Sequence, residues 1–340
     1  LRRYSLGTDR LGVWVCHVPG GVRASLYNPV DFRLTIDPAA LVVKLNKYVT
    51  PYFRSLSNDQ YEPQFVLGGE VSITVTQNDG DCVDAALAQS DDSMAGVVVI
   101  ADAEHAENQH GGWGRTGTPC EPSDPCPART SGRAAYIGAS DFHPDWGEVP
   151  AVDLLEHEIG HTLGFPHSGG GDGYTSAIDL MSNSAAPRDQ DADRRDAPDT
   201  LAVNRLAAGW LSLDDVVVAT GAMMVPIVPS RSPSGNRMVV LPVDAYRFLS
   251  VELIANTGLD AYLPHSGVVI HLVDQTPNNP TSAAGAEPLL NEYRSQVPVS
   301  GKAPFTDLMQ SGASWSGMGW SVSVASSATG QWSVNLKRIP

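Results

Sequence analysis

The amino-acid sequence predicts a mixed α+β domain followed by an all-β sandwich. The chain has 340 residues, 42% of them hydrophobic, which is enough to bury a sizeable core and to form two domains. Up to about Leu211 the patterns follow the order strand, helix, three strands, helix, which predicts a twisted mixed sheet packed against two helices. Beyond that point strand-like runs alternate with Gly, Pro, Asn and Ser clusters. We therefore expect domains at residues 1–211 and 212–340.

Hydrophobic periodicity and helix-start signals locate the elements of the first domain. Asp37 suits an N-cap and Pro38 the first helical position, while Leu41, Leu45 and Tyr48 form the apolar stripe of the first helix. Strands are predicted at residues 13–18, 70–76, 96–102 and 133–139, a long Gly- and Pro-rich loop at 104–132, and a second helix at 150–164.

The second domain is predicted from seven runs of strand-forming residues with turn signals between them. These runs lie at residues 216–220, 222–228, 237–243, 247–255, 267–273, 320–326 and 331–338. This pattern predicts an all-β sandwich appended to the first domain.

Charge narrows the range of partners. The formal net charge is −16 and the isoelectric point about 4.8, so the chain would repel nucleic acid and anionic membranes. No apolar run is long enough to predict a membrane span, and the first ten residues lack the apolar core of a signal peptide. We expect either a processed, mature chain or a protein that never enters a secretory route.

The four cysteines favour the first of these two possibilities. Cys120 and Cys126 bracket a short loop with two prolines that suits a small disulfide ring, which leaves Cys16 and Cys82 to pair with each other. An even number of cysteines in an acidic chain favours a secreted, extracellular protein. The alternative is a cytosolic enzyme with four unrelated thiols.

Three of the nine histidines lie within the eleven residues HEIGHTLGFPH. Residues four apart share a helix face, so His157 and His161 can present two nitrogens to one metal ion. Glu158 lies one position round the helix, where it can reach a water beside that ion and act as a general base. Gly164 can end the helix with a positive φ, which lets His167 return as a third ligand. Three ligands leave one position for water, as in catalytic zinc sites; a helix with two histidines on a polar face is the alternative.

This stretch resembles the extended zinc signature of the metzincin clan of metallopeptidases, in which a Met-turn follows. The resemblance implies a catalytic Zn²⁺ and makes Met181, in AIDLMSNS, the hydrophobic floor beneath the imidazoles; an ordinary buried methionine is the alternative. It also implies an upper subdomain of strands and two helices, and an irregular lower subdomain after Gly164. The strand in RAAYIGAS would be the edge strand above the cleft, along which a peptide could add by β-augmentation; an interior strand without a ligand is the alternative.

Within the clan, two features point to different families. A serine directly after the third histidine, here Ser168, resembles the pattern of the matrixins. The segment APDTLAVNRLAAGWLSLDDV and the β-rich region beyond it instead resemble gametolysin-like and immune-inhibitor-A-like peptidases, which is the group that we favour. Asn183 stands where astacins and serralysins have a tyrosine that stabilises the oxyanion. In this chain the zinc ion and a residue that the sequence does not identify would have to stabilise it. The CHVPG sequence at Cys16 is faintly similar to a cysteine switch, but a disulfide is the favoured interpretation.

The resemblance implies a zinc endopeptidase that cleaves internal bonds of a protein or peptide, with Glu158 as the base for a zinc-activated water. We expect the protein to be secreted and monomeric. A second hypothesis is a surface or matrix binding protein of the adhesin type, with a structural zinc site. Glu158 argues against it, because a structural site needs no base there. Zinc-dependent hydrolysis of another amide, such as a cell-wall peptide, is a third.

Other polar residues carry weaker hypotheses. Asp189, Asp191 and Asp193 alternate and could gather oxygen ligands around Ca²⁺, but Arg194 stands where an EF-hand loop has glycine, so a solvated acidic loop is favoured. Of the remaining histidines, His105, His110 and His143 are expected at the surface near the cleft or in a second, structural zinc site. His265 and His271 have no partner pattern.

Overall fold

The computed structural model describes residues 6–19, 33–74, 76–103, 111–118, 126–168, 176–276, 295–298 and 308–340. Within these ranges the chain is a mixed α/β protein with three sheets and few long helices. This agrees with the predicted order of a mixed part followed by a β-rich part. None of the helices in these ranges is both long and apolar enough to cross a membrane.

The first part of the chain forms one five-stranded sheet with helices around it. Its elements are β1 (Gly7–His17), α1 (Pro38–Leu56), β2 (Tyr61–Ser72), α2 (Asp79–Gln89), β3 (Gly96–Ala101), β4 (Gly112–Arg115), α3 (Ala128–Ser131), β5 (Ala134–Ile137), α4 (Asp153–Thr162), α5 (Ala186–Gln190) and α6 (Ala202–Ala208). The strand order is β2-β1-β3-β5-β4. All neighbours are parallel except β4, which runs antiparallel to β5.

Helix α1 begins as the sequence predicts. The Asp37 carboxylate accepts hydrogen bonds from the backbone N–H groups of Ala39 (2.7 Å) and Ala40 (3.2 Å), and Pro38 occupies the first turn. Leu41 and Leu45 are fully buried, but Tyr48 is half-buried. Val49, four residues after Leu45, takes the expected place of Tyr48, so the buried stripe continues at i+4 spacing.

The strand predicted at 70–76 is wrong in its bounds, because β2 starts nine residues earlier, at Tyr61. Pro63, Gly68 and Gly69 gave this segment the appearance of a loop. Gly68 has a packing reason to be glycine: a Cβ there would lie 2.4 Å from Nε1 of the Trp14 ring.

Three further elements lie where the sequence predicted none. Helix α2 starts at a capping box between Asn78 and Asp81. The long loop expected at 104–132 contains strand β4 and the single turn α3. The Asn-x-x-Asp pattern is a signal that could have located α2, whereas the four residues of β4 are too short to show a period.

All seven strand-like runs of the second part form strands. The elements are β6 (Val216–Val218), β7 (Met223–Ile227), β8 (Met238–Pro242), β9 (Arg247–Ile254), β10 (Gly267–Asp274), β11 (Ser295–Pro298), β12 (Ser314–Gly317), β13 (Trp320–Ser326) and β14 (Trp332–Arg338). They form one sheet in the order β11-β10-β9-β8-β6 and another in the order β12-β13-β14-β7. One apolar cluster contains residues of both sheets, including Val251, Ile270, Trp320 and Val334. The two sheets therefore pack face to face.

The outer face of the first of these sheets packs against the first part of the chain. Met238, Ile254 and Val269 share a buried apolar cluster with Leu201 and Val203, at the start of α6. The predicted division near Leu211 therefore lies beside a buried apolar contact between the two parts.

A disulfide joins Cys16, in β1, to Cys82, in α2, with a Cα–Cα distance of 5.8 Å. This is the predicted pairing. It closes a separation of 66 residues, and closing a loop of that length stabilises a fold by about 4 kcal/mol in the chain-entropy account. Cys126 is also disulfide-bonded, while Cys120 lies outside the described residues.

A buried polar cluster lies on β9 and β10, on the face of their sheet that packs against the first part of the chain. His271 on β10 pairs directly with Ser250 on β9, and Glu252 is two residues further along β9. All three residues are fully buried. Both His271 nitrogens, the Ser250 hydroxyl and Oε1 of Glu252 have no hydrogen-bond partner in the described part of the chain. Burial lowers the pKa of His271 to about 3 and raises that of Glu252 to about 8.

Replacing His271 with leucine is expected to make the chain more stable at low pH than the parent. The folded-state pKa of about 3 lies below the ordinary value of 6.5, so protonation below pH 6.5 favours unfolding. At pH 5 this costs the parent roughly 2 kcal/mol, a cost that the leucine variant does not have. Glu252 titrates in both proteins, so its contribution largely cancels when the two are compared. The measurement is therefore the free energy of unfolding of the variant minus that of the parent, determined at pH 7 and again at pH 5. A difference that does not grow as the pH falls would contradict the prediction.

Candidate metal centre

The three histidines of the motif converge on one point. His161 Nε2 lies 2.9 Å from His167 Nε2, which in turn lies 3.1 Å from His157 Nε2. The three candidate ligand atoms are all within 4.8 Å of one another, and no fourth His, Cys, Asp or Glu of the described residues joins the group. Ligands of a tetrahedral zinc ion are roughly 3.3 Å apart, so a small shift of the rings would place all three nitrogens around one ion.

Hydrogen bonds fix the tautomers of two of the imidazoles. Nδ1 of His157 is 2.7 Å from the Leu180 carbonyl oxygen, and Nδ1 of His161 is 2.9 Å from the Phe165 carbonyl oxygen. A carbonyl oxygen can only accept, so each Nδ1 carries the proton and each Nε2 presents a lone pair. The lone pairs of His157 and His161 both lie close to Nε2 of His167, an arrangement that a cation among the three nitrogens would stabilise. The donor set therefore fits a metal ion that prefers imidazole nitrogen, with Zn²⁺ among the candidates.

Burial keeps the three rings neutral. It lowers the pKa of His157 to about 3 and that of His167 to about 4, and it holds the pKa of His161 well below the ordinary value. At neutral pH all three side chains are therefore in the form that binds a metal.

The backbone turn after α4 brings the third ring back toward the helix. Gly164 has a φ of +85°, in the left-handed region. The Gly164 N–H donates to the His161 carbonyl (2.9 Å), and the Phe165 N–H donates to the Gly160 carbonyl (3.2 Å). The helix ends within three residues of His161, and His167 returns to it, as the sequence predicts.

Met181 packs against the helix that carries the first two histidines. Its side chain is fully buried. A Cβ on Gly160, which lies between His157 and His161 on α4, would be 2.5 Å from the Met181 sulfur. Glycine at position 160 therefore lets the methionine lie directly against the helix backbone, next to the Leu180 carbonyl that orients His157.

Glu158 is buried on the side of α4 that faces β4. It is 4% exposed, and its Oε2 has no hydrogen-bond partner among the described residues. Burial raises its pKa well above the ordinary value, which makes the carboxylate a stronger base. A carboxylate without a partner beside three candidate metal ligands is suited to exchange a proton with a nearby water or substrate.

Strand β4 is the edge of the sheet beside Glu158, which corrects the prediction for RAAYIGAS. That segment forms β5, an interior strand between β3 and β4. Two glycines let β4 approach the helix: a Cβ on Gly112 would lie 3.0 Å from Glu158 Oε1, and one on Gly114 only 2.1 Å from the Glu158 carbonyl oxygen. Among the described strands β4 has a neighbour on one side only, so its other edge can pair with an extended peptide.

Several residues that support the site gave no signal in the sequence. Asp179, two residues before Met181, is fully buried and accepts hydrogen bonds from the segments that follow His167 and precede α6. Arg188 donates two hydrogen bonds, of 3.2 and 3.0 Å, to Asp153 in the first turn of α4. Both pairs join segments far apart in sequence, so no local pattern reveals them.

The other candidate residues do not join the group of histidines. The carboxylates of Asp189, Asp191 and Asp193 are exposed, and the described residues contain no metal-binding group at them, so the calcium hypothesis gains no support. His143 is buried, which is the opposite of the surface position expected, and its Nδ1 accepts the Asp145 N–H (3.1 Å). His105 and His110 lie outside the described residues. The remaining histidine of the β-rich part, His265, contacts Gln310.

Asn183 contributes no oxyanion-stabilising hydroxyl, in keeping with the departure noted in the sequence. Its backbone N–H donates to the Ser176 carbonyl (3.0 Å), and its side chain donates to Asp189 (3.4 Å). The amide group is therefore engaged within its own loop.

Comparison of the chain with models of protein families gives no match. Comparison with curated proteins gives none either.

Proposed function

We propose that the chain is a zinc-dependent endopeptidase of the metzincin type, acting outside the cell on a protein or peptide substrate. The observation that carries the proposal is the convergence of three imidazole Nε2 atoms beside a buried carboxylate that has no hydrogen-bond partner among the described residues. A closed structural site has four protein ligands and no use for a base. The Cys16–Cys82 disulfide is compatible with an oxidising compartment.

Each residue of the site then has a separate role. His157, His161 and His167 hold the ion, and a zinc ion there would polarise the scissile carbonyl and acidify a water molecule. Glu158 accepts the proton of the attacking water and returns it to the leaving amine, so its carboxylate is regenerated at the end of the cycle. Met181 packs against α4 at Gly160 and so supports the helix that carries His157 and His161.

The edge of β4 supplies a place for the substrate. An extended peptide paired with β4 would run past Glu158, because glycines at 112 and 114 keep the strand close to α4. Backbone pairing does not depend on side-chain identity, so it suits an enzyme that cleaves within a chain.

Incubation of the purified chain with casein, with and without a zinc chelator, tests the proposal. Cleavage that the chelator abolishes and added Zn²⁺ restores supports an endopeptidase. Binding to a surface polymer without cleavage, unaffected by the chelator, would favour the adhesin hypothesis. Cleavage of cell-wall peptides but not of casein would favour the other amide hydrolase.

Replacing Gly112 with alanine is expected to lower the rate of peptide cleavage by about 100-fold, the order of loss that a displacement of about 1 Å causes at a reacting centre. The added Cβ would lie 2.7 Å from the Tyr136 carbonyl oxygen and 2.9 Å from Glu158 Cγ, so either β4 or the base must move. Zinc content should stay at the parent level. The matched control is Gly221→Ala, where a Cβ meets nothing within 4 Å; equal rates for the two variants would refute the assigned role of Gly112.

A further inference from the structure

The third histidine differs from the other two in how its backbone is held. His157 and His161 are carried by α4, whereas His167 follows the turn at Gly164 and lies outside any helix or long strand. The position of its ring therefore depends on contacts of the loop around it. The residue directly after it, Ser168, makes two such contacts.

Both contacts of Ser168 are to the Met-turn segment, residues 179–181. The Ser168 backbone N–H donates to the Met181 carbonyl at 3.0 Å. The Ser168 hydroxyl donates to the carboxylate of Asp179. Ser168 is 3% exposed and Asp179 is fully buried, so water does not compete for this hydrogen bond.

The opposite side of the Asp179 carboxylate is fixed by the start of α6. Its Oδ1 accepts from the Thr200 hydroxyl (3.0 Å), and at longer range from the Leu201 N–H and the Asn204 side chain, both at 3.4 Å. The Met-turn segment is also held at Leu180, whose N–H donates to the Asp199 carbonyl at 2.8 Å. Asp179 is thus a rigid acceptor and not a mobile side chain that follows Ser168.

We propose that Asp179 is a positioning residue for the metal centre, which fixes the direction of His167 through the Ser168 hydroxyl. The proposal rests on the proposed function, because it requires that His167 binds a metal. Outer-shell hydrogen bonds of this kind orient ligands, and their loss typically weakens metal binding by 10–100-fold. Here the bond holds the side chain of Ser168, the residue next to the ligand, so it sets the direction from which the imidazole approaches.

The test compares Ser168→Ala, Ser168→Thr and Asp179→Asn in the full chain. The probes are Zn²⁺ affinity, measured by competition with a chelating dye, and the visible absorption spectrum of Co²⁺ bound in its place. We expect Ser168→Ala and Asp179→Asn to bind Zn²⁺ about 10–100-fold more weakly than the parent and to show an altered Co²⁺ spectrum. Ser168→Thr, which keeps the hydroxyl, should restore most of the affinity and the parent spectrum.

A matched control separates positioning from general loss of stability. Ser57→Ala removes another fully buried serine hydroxyl, one that bonds the Tyr61 carbonyl (3.1 Å) at the end of α1. It should leave Zn²⁺ affinity and the Co²⁺ spectrum unchanged. Parent-like affinity and spectrum in Ser168→Ala, or an equal loss in Ser57→Ala, would overturn the proposal. If Ser168→Ala does not fold, the Zn²⁺ affinity and the Co²⁺ spectrum of Asp179→Asn are compared with those of the parent instead, and parent-like values overturn the proposal. A parent chain that binds neither metal would instead refute the proposed function.

Discussion

Glu158→Gln is expected to lower the turnover number for peptide cleavage by 10²–10⁴-fold, the range that general-base catalysis contributes. The amide keeps the shape of the side chain but cannot accept a proton at neutral pH. None of the three histidines changes, so the variant should bind one zinc ion per chain with parent affinity. The measurements are initial rates on a fluorogenic peptide and the zinc content of the same preparation.

Glu156→Gln is the matched control for this variant. Glu156 lies on the same helix, is also fully buried, and accepts the Ala197 N–H at 2.7 Å on a side away from the histidines. Glutamine has nearly the same shape and keeps a side-chain oxygen that can accept the Ala197 N–H, so it is a close substitute at this position. We expect near-parent rates. Parent-like rates in Glu158→Gln would rule out the assigned base.

His161→Ala should abolish stable zinc binding and, with it, cleavage. The change removes one of three converging nitrogens and leaves two ligands, which hold zinc weakly. The loss of affinity should exceed the roughly 10–100-fold that an outer-shell change costs. It would be measured by chelator competition.

The control for the zinc-binding prediction is His265→Ala. His265 is half-buried in the β-rich part, where its Nδ1 accepts a hydrogen bond from Gln310 at 2.7 Å. Zinc affinity should not change in this variant. A His161→Ala chain that retains one zinc ion at parent affinity would show that the metal binds elsewhere.

The features that could be predicted from the sequence are those set by local geometry. The spacing of His157 and His161 follows from the helical period, and the return of His167 follows from a glycine able to adopt a positive φ. The Asp37 cap and the seven strands of the second part are likewise encoded in short patterns. The Cys16–Cys82 pairing followed from a small count of cysteines.

The features that could not be predicted depend on contacts between distant segments. Gly112 and Gly114 belong to a stretch with the composition of a loop, and their role becomes visible only where β4 meets α4. Trp14 explains Gly68 in the same way. Asp179 is joined to residues 11 to 25 positions away, so the network around it has no local signature.

The most direct test of the central claim is X-ray absorption at the zinc edge on the purified chain. The claim is that three imidazoles hold one ion and leave a position open for water. It predicts one zinc ion per chain with three nitrogen ligands and one oxygen ligand, all at about 2.0–2.1 Å. A spectrum with sulfur ligands or a fourth imidazole, or a chain that takes up no zinc, would contradict it.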